Sequence, residues 1–375
     1  MRTEICDMLG IEFPILAFTH CRDVAAAVTN AGGFGVLGVS TAQPEELAWI
    51  ESEIGPDKTY GLDALIPAKS AEVDTSRPLS ESLPEEHKKF INDLLEKYDV
   101  PPLPDDDPTV NAFGRGMMGD NNSRASNMIE IATHHSQIKM VVSALGPPPR
   151  HMVDLAHEHG ILVGGLVGNR QHAERQIAAG VDVIIAQGHE AGGHVGEIGT
   201  MVLVPEIVDA VAPIPVLAAG GIGSGRQLAA ALALGAKGVW CGSVWLTTVE
   251  AETHPVVKEK FLKASSSDTV RSRASTGKPA RQLRSAWTDE WADPHNPDPL
   301  PMPLHGVLTA EAQARIRRGA YTPGSGSEKL VNYFVGQIVG SLNHERTCRQ
   351  VVMDMVEEYI AVAQSTADSL EAAGA

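Results

Sequence analysis

The sequence predicts an α/β protein folded as a (β/α)8 TIM barrel, with a long insertion after strand three and a C-terminal lid and helical extension. Three observations favour this fold: eight short aliphatic runs occur along the chain, alanine-rich segments separate them, and glycine-rich turns follow the last two. Alternation of strand and helix is typical of a parallel sheet, and eight such units can close into a barrel. A doubly wound open sheet is the alternative architecture.

The predicted strands are nearly continuous aliphatic runs, as expected of strands buried on both faces. They are 14–17, 35–38, 60–66, 140–145, 161–166, 181–186, 214–220 and 237–242. Between them we predict helices, for example over 22–32, 170–180 and 225–236. Each of these segments is rich in alanine and ends near a glycine that can serve as a C-cap.

Two stretches interrupt the alternation and divide the chain. We expect residues 1–67 and 137–252 to form the barrel, and 68–136 to be an insertion that contains the acidic, proline-rich YDVPPLPDDDPTV. Residues 253–343 are predicted to cover the barrel mouth, and 344–375 to form an amphipathic helix. Long excursions within a compact domain are usually lids, binding elements or disordered segments.

Composition and charge exclude several classes of function. The chain of 375 residues carries 47 acidic and 30 basic side chains, a net charge of −17, whereas nucleic-acid binders need clustered Lys and Arg. No segment is apolar over the length that a bilayer requires, and the first residues lack a signal-peptide pattern, so we expect a cytoplasmic protein without a membrane partner. The four cysteines are scattered, which favours reduced thiols.

Glycine-rich turns after strands seven and eight predict a phosphate site. Gly220, Gly221 and Gly223 leave strand seven in AAGGIGSG, and Gly242 and Ser243 leave strand eight in WCGSVW. Glycine lets backbone N–H groups approach an anion, and the helix that follows strand seven would point its positive end at the same place. Barrels often hold phosphate at these two loops. Ordinary tight turns are the alternative interpretation, and the spacing does not match a dinucleotide fingerprint.

Taken together, the motifs resemble the nitronate monooxygenase family, formerly called 2-nitropropane dioxygenases, whose members are FMN-dependent barrels. The resemblance rests on FPILA, AAAVTNAGGFGVLG and GLDALIP, and most specifically on AQGHEAGGH and VLAAGGI. It covers most of the barrel, but not residues 68–136 or much of 253–330. FMN-containing enoyl-thioester reductases share this barrel and similar glycine motifs.

The resemblance implies roles for individual residues. It places the FMN phosphate at the turns described above. The residues that it implies at the flavin ring are Ala17, Phe18, Thr19, Asp63, Gln187, Gly192 and Gly193. His194 corresponds to the family's catalytic histidine, and an imidazole can take a proton from a carbon acid or, as imidazolium, hold an anionic nitronate. His20, just past strand one, is a candidate substrate residue.

A metal site is the alternative interpretation of the AQGHEAGGH loop. His189, His194, Glu190 and Glu197 lie within nine residues. However, a spacing of five between the histidines suits no helix face, and a glycine-rich loop gives little rigidity for a tetrahedral site, so we expect no metal. His189 is then expected to be a structural residue or a surface residue and not a catalytic one. Cys241, inside an apolar strand, is expected to be a buried, inert thiol.

Several functions remain open at this point. The first is an FMN oxidoreductase that oxidises an alkyl nitronate, or a similar carbon acid, with O2. The second is an FMN- and NAD(P)H-dependent reductase or dehydrogenase of an enoyl or other acyl thioester. The phosphates of its CoA or carrier protein would meet basic residues: Lys88, Lys89, Lys278, Arg281 or Arg284. A third is a flavin-free isomerase or lyase acting on phosphosugars or nucleotides. A homodimer is compatible with all of them.

Overall fold

The computed structural model describes residues 1–39, 44–66, 82–104 and 121–374. The strands in chain order are β1 (Ile15–Thr19), β2 (Phe34–Gly38), β3 (Tyr60–Leu65), β4 (Ile138–Ala144), β5 (Leu162–Val167), β6 (Val183–Gln187), β7 (Gly193–His194), β8 (Val216–Ala219), β9 (Gly238–Cys241), β10 (Thr269–Ser272) and β11 (Ala280–Leu283). All except β7, β10 and β11 form a closed parallel barrel, because β9 pairs with β1 at Leu16 and Trp240. The predicted (β/α)8 barrel is therefore confirmed.

Helices surround the barrel and extend beyond it. In the described part of the chain they are α1 (Glu4–Leu9), α2 (Arg22–Asn30), α3 (Pro44–Ile54), α4 (Glu85–Lys97), α5 (Asn121–Thr133), α6 (Arg150–Glu158), α7 (Arg170–Ala179), α8 (Thr200–Val211), α9 (Gly225–Ala233), α10 (Pro255–Lys263), α11 (Ala286–Glu290), α12 (Leu304–Gly319), α13 (Gly326–Leu330) and α14 (Cys348–Gly374). None of the helices described is long and apolar enough to traverse a membrane.

Local signals explain where the predicted helices begin and end. The side chain of Asn169 accepts a hydrogen bond from the His172 N–H at 2.8 Å and so caps the start of α7. The helix ends at Gly180, which has φ +95°, a conformation that glycine adopts without a steric penalty. α9 ends a little earlier than predicted, at Ala233, and the left-handed glycine follows at Gly235.

The barrel has an inner core and an outer layer, because neighbouring residues on a strand point to opposite faces. The inner core includes Leu16, Val36, Met140, Ile185, Leu217 and Trp240, and α1 packs against it with Ile5 and Leu9. The outer layer holds the alternate residues, including Ala17, Val141, Ile184 and Ala218, against the surrounding helices. The phase of this alternation decides which strand residues can reach the barrel mouth.

A second hydrophobic cluster lies outside the barrel, and we call it the outer cluster. It joins side chains of α4, α10, α11 and α12, among them Leu94, Phe261, Trp287 and Ile316. The parts of the predicted 68–136 insertion that the structure describes go to different places: α4 packs into the outer cluster, whereas Met128 of α5 packs against the barrel. Positions 68–81 and 105–120 of that insertion lie outside the described residues.

A small antiparallel sheet connects the loop after β6 to the segment predicted to cover the mouth. Its strand order is β10-β11-β7, with Ala280 paired to His194 and Arg281 paired to Gly193. The sheet therefore holds the candidate catalytic histidine from a part of the chain that lies far away in sequence. The C-terminal helix begins at Cys348 and packs on the barrel through Val352 and its neighbours.

Candidate active site

A cavity of about 1670 Å³ lies at the carboxyl ends of the barrel strands, between the barrel and the outer cluster. Most of the residues that the sequence singled out line it: Phe18, Thr19, His20, Asp63, Gln187, Gly192, Gly193, His194, Gly220, Gly221, Gly242 and Ser243. They come from the ends of several strands, as in other barrels whose chemistry is placed on the loops after the strands.

Two predicted cofactor residues do not reach this cavity. Ala17 is fully buried in the outer layer, because it occupies the strand position whose side chain points toward the helices. Gly223 donates its N–H to Oε1 of Gln227 at 2.9 Å, and a Cβ at this position would lie 3.0 Å from Ile338. Neither residue lines the cavity wall, and their contact with the cofactor stays a prediction.

The start of α9 was expected to point at the phosphate, and the structure corrects this. Ser224 caps the helix by accepting a hydrogen bond from the Gln227 N–H, and the Gly225 N–H donates to the Glu358 carboxylate of α14 at 2.9 Å. A carboxylate of the protein thus occupies the positive end of this helix. The side-chain amide of Gln227 also donates a hydrogen bond to the Gly221 carbonyl, and this contact stabilises the conformation of the turn.

The remaining phosphate residues form a backbone-bordered corner of the cavity. A Cβ added at Gly242 would meet nothing closer than Phe18, at 3.8 Å, and so would occupy cavity space. The Ser243 Oγ accepts a hydrogen bond from the Gly336 N–H at 2.8 Å, which leaves its own proton free to be donated. At Gly193, which is expected at the flavin ring and not at the phosphate, φ is +75° and a Cβ would meet no atom within 4 Å. This corner fits a ligand that packs closely against main chain and accepts hydrogen bonds.

Aromatic side chains form another wall. Phe18 stacks on Trp240 with ring centroids 6.0 Å apart, and its edge meets His20 at 5.1 Å. The Nδ1–H of His20 donates to the Gly38 carbonyl at 3.0 Å, because a carbonyl can only accept. A Cβ at Gly38 would lie 2.7 Å from the His20 ring, so glycine leaves the space that this ring occupies. Desolvation by the surrounding protein lowers the pKa of His20.

Asp63 is a buried acid at the cavity wall, with a relative exposure of 4%. Burial raises the pKa of Asp63 to about 7, since a carboxylate loses its hydration in this environment. A large share of the Asp63 carboxyl groups is therefore protonated near neutral pH. In that form the group can donate a hydrogen bond as well as accept one.

Hydrogen bonds hold the AQGHEAGGH loop in place. They use both ring nitrogens of His189, one of the candidate metal ligands. His189 uses Nδ1 on the Gly196 carbonyl at 3.1 Å and Nε2 on Arg281 at 2.6 Å. Glu190 accepts hydrogen bonds from the N–H and the hydroxyl of Thr200, each at 2.9 Å, and so caps the start of α8. His189 is a structural residue, as the sequence predicted.

His194 lies in β7 at the cavity wall, where its Nε2 is 2.8 Å from the Thr276 Oγ1. Burial, together with the positive charge of Lys278, lowers the pKa of His194 to about 4. The imidazole is therefore neutral near pH 7. A neutral imidazole can accept a proton, but it does not carry the charge that would hold an anion.

Other residues that the sequence singled out are an inert thiol and several basic side chains, most of which lie outside the cavity. Burial raises the pKa of Cys241 to about 12, which makes it the inert thiol expected from the sequence. Lys88 pairs with Glu85 at 2.7 Å, and Lys89 and Arg284 form similar ion pairs with neighbouring carboxylates. None of these three basic residues lines the cavity, whereas Lys278 does.

Thr276 and Trp240 are cavity residues that sequence reasoning missed. Trp240 could have been identified from the sequence, because the alternation of side chains along β9 places it on the inner face with Leu16 and Leu217. Thr276 could not be identified from the sequence. It lies 82 positions from His194, and no local sequence pattern shows that its turn packs against this histidine.

Comparison with known proteins agrees with this geometry. The family model for nitronate monooxygenase matches residues 2–358, which is nearly the whole chain. The chain belongs to the nitronate monooxygenase family. It is accordingly an FMN-dependent oxidoreductase, as the resemblance implied, and the flavin-free isomerase or lyase is set aside.

Individual relatives place it within a broader group of barrels. A Mycobacterium tuberculosis protein named as a monooxygenase is 55% identical over 368 residues, which is 96% of this chain and 97% of the relative. FabK from Thermotoga maritima is similar with a TM-score of 0.69 and 28% identity, covering 98% of this chain and 99% of FabK. Nitroalkane oxidase from Streptomyces ansochromogenes has a TM-score of 0.78 at 23% identity, over 96% and 99%, a likeness of fold.

Proposed function

We propose that this member of the nitronate monooxygenase family oxidises an alkyl nitronate, or a carbon acid that yields a similar anion, with O2 as the electron acceptor. The observation that carries the proposal is a neutral imidazole, His194, in the wall of a cavity that Gly242 and Ser243 border with main chain. FMN, when bound, supplies the redox chemistry. The protein supplies binding, orientation and proton transfer.

We propose that Gly221, Gly242 and Ser243 hold the FMN phosphate. Support comes from the Ser243 hydroxyl, whose proton is free to be donated. Further support comes from the open cavity space beside Gly242, which the side chain of any other residue at this position would occupy. Main-chain N–H groups and hydroxyls are suitable donors for phosphate oxygens. Gly220 lines the same corner and keeps the turn tight against Thr200, since a Cβ there would lie 2.7 Å from the Thr200 hydroxyl.

The flavin ring is proposed to lie between the aromatic wall of Phe18 and the loop at Gly193. Thr19, Asp63, Gln187 and Gly192 also border this space, and their polar groups can bond the edges of a heteroaromatic ring: they are all cavity residues. Asp63 is suited to donate a hydrogen bond because burial raises its pKa to about 7. Gly192 also packs against the loop at Gly336, since a Cβ at Gly192 would lie only 2.8 Å from the Gly336 nitrogen.

His194 is proposed to take the proton of a carbon acid, since it is neutral near pH 7. Lys278 also lines the cavity, and its charge reaches His194, because it contributes to the lowered pKa of that imidazole. We therefore assign to Lys278 the positive field that attracts the anionic form of the substrate. His20, which lines the cavity and meets the Phe18 ring, is proposed as a substrate contact.

The experiment that tests this function measures oxygen uptake by the flavin-loaded enzyme with a nitroalkane and with its preformed nitronate. Replacement of His194 by Asn should leave the flavin absorbance in place and reduce kcat with the nitroalkane by about 100-fold or more. Replacement of His295, whose side chain is 90% exposed, by Asn serves as the control and should change nothing. Oxygen uptake with neither substrate would refute the proposed function.

A second candidate function is reduction or dehydrogenation of an acyl thioester with NAD(P)H. The cavity, at about 1670 Å³, exceeds the roughly 300–1,000 Å³ of typical small-ligand pockets. It extends between α10 and α12 along Val257 and Ala314, and there Nε2 of Gln313 is buried without a hydrogen-bond partner among the described residues. A long ligand with apolar segments and carbonyl groups fits this compartment, and the likeness to FabK adds weight.

The two functions are separated by one comparison of substrates. An enzyme of the second kind would consume NADH or NADPH in the presence of an enoyl-CoA and would show little oxygen uptake with nitronates. Replacement of Gln313 by Leu should then raise KM for the thioester, because a buried donor that pairs with a ligand carbonyl is lost.

We further propose a cytoplasmic location, since the four cysteines are free and buried.

A further inference from the structure

Thr276 is a buried residue whose hydroxyl touches the candidate catalytic histidine. Its relative exposure is 4%, and Oγ1 lies 2.8 Å from His194 Nε2. The contact is set by the small antiparallel sheet, because the pairing of His194 with Ala280 brings the turn before β11 alongside the ring. Nothing in the function proposed above assigns Thr276 a role.

The hydrogen bonds of the Thr276 hydroxyl favour one tautomer of His194, in which Nε2 carries the proton. A hydroxyl has one proton to donate and two lone pairs that accept. Oγ1 donates to the Lys278 carbonyl at 3.3 Å and accepts from the Lys278 N–H at 3.3 Å. The remaining lone pair faces Nε2 of His194. The hydroxyl therefore uses its one proton and both of its lone pairs only if Nε2 of His194 bears the hydrogen.

The other ring nitrogen is left as the base. In a neutral imidazole one nitrogen donates and the other accepts, so a proton on Nε2 leaves the lone pair on Nδ1. Within the ranges that the structure describes, no group hydrogen-bonds Nδ1 of His194, and the residue lines the cavity. In this tautomer Nδ1 is the ring nitrogen that keeps a lone pair for a proton.

We propose that Thr276 is a positioning residue that holds His194 as the Nε2–H tautomer and so directs its basic Nδ1 toward the substrate. The inference rests on the proposed function in one respect, that His194 removes a proton from a carbon acid. In that step the substrate C–H bond breaks, the proton forms a bond to Nδ1, and the electron pair stays on carbon, delocalised into the adjacent electron-withdrawing group. The imidazolium that results donates a charge-assisted hydrogen bond from Nε2 to Thr276.

The test compares Thr276→Val, which keeps the shape but lacks the hydroxyl, with Thr276→Ser, which keeps the hydroxyl. With a neutral nitroalkane, which must lose its proton on the enzyme, we expect kcat to fall about tenfold or more in T276V and to recover in T276S. With the preformed nitronate, which needs no proton removal, T276V should match the wild-type enzyme. Flavin absorbance and Tm are measured for each variant to confirm folding.

The pH profile gives a readout that a purely structural role would not change. Without the Thr276 oxygen the imidazolium loses its acceptor, so the pKa on the acidic side of the kcat/KM profile should decrease in T276V. Equal slowing with both substrates, no slowing at all, or no recovery in T276S would overturn the inference. So would a wild-type enzyme that oxidises the nitronate but not the nitroalkane, an outcome that leaves the proposed oxidation of nitronates standing.

Discussion

Arg281 donates a hydrogen bond to Nε2 of His189 at 2.6 Å and a second one to the His189 carbonyl oxygen at 3.0 Å. A guanidinium has only donors, so Nε2 of His189 must accept and Nδ1 carries the hydrogen that meets the Gly196 carbonyl. The two histidines of one loop are thus kept in different roles. His189 anchors the loop, and His194 faces the cavity.

Replacement of Arg281 by Met should destabilise the protein. Arg281 is 3% exposed, and its loss leaves acceptors on His189 and on Thr269 without their donor. We expect the free energy of unfolding to fall by about 2–4 kcal/mol, measured by urea denaturation. The matched control is Arg284→Met, which removes an exposed ion pair with Asp289 and should cost less than about 0.5 kcal/mol. Equal effects of the two substitutions would contradict the anchoring role.

Replacement of Gly242 by Ala should weaken FMN binding without weakening the fold. The backbone there has φ −116°, which alanine adopts easily, and the added methyl group would project into the cavity 3.8 Å from Phe18. We expect the Kd for FMN to rise about tenfold, a loss of roughly 1.4 kcal/mol, with no change in the Tm of the flavin-free protein. Gly199→Ala, at a position with φ −67° that does not line the cavity and where the methyl group would meet no atom closer than 3.5 Å, should leave the Kd unchanged. An unchanged Kd for G242A would place the phosphate elsewhere.

Replacement of Asp63 by Asn should remove a pH dependence of FMN affinity. Because burial raises the pKa of Asp63 to about 7, its carboxyl group is neutral below that pH and becomes an uncompensated buried anion above it. In the wild-type protein the Kd for FMN should therefore increase as the pH rises through 7. Fluorescence titrations between about pH 6 and 8.5 should show a flat profile for the Asn variant, which stays neutral throughout. A wild-type profile that is already flat would argue against an Asp63 donor.

Mild acid should destabilise the protein through its buried histidines. Burial is the main cause that lowers the pKa of His305 to about 4, from 6.5 in an accessible histidine. Between these values the unfolded chain binds a proton that the folded protein does not, so stability is full above pH 6.5 and declines toward pH 4. Each such histidine contributes a slope of about 1.4 kcal/mol per pH unit.

Replacement of His305 by Gln tests this linkage. The amide can still donate to the Ala274 carbonyl, which accepts from His305 at 2.8 Å, but it cannot be protonated. Urea denaturation at a series of pH values should show a shallower decline for H305Q, while His295→Gln, at a site 90% exposed, should keep the wild-type slope. Parallel curves for H305Q and the wild type would show that His305 does not carry the effect.

Much of the barrel and its mouth could be predicted because the signals are local. Strands buried on both faces are apolar along their whole length, and β4 and β9 were located to within a few residues. Since parallel strands bring their carboxyl ends together, residues at those ends, such as Gln187 and Gly242, were expected to meet, and they line one cavity. The side chain of Ala17 packs in the outer layer, because the phase of a strand depends on what packs against each face, and its contact with the flavin stays a prediction.

The sequence by itself determined the barrel, the glycine-bordered turns and the presence of a histidine at the mouth, because strand propensity and turn geometry act over a few neighbouring residues. Tertiary structure alone decided that Glu358 occupies the start of α9, that Arg281 restrains His189, and that Thr276 bonds His194. Each of these contacts joins positions about 80 or more residues apart, and such pairing is governed by the packing of whole elements, which no local pattern encodes.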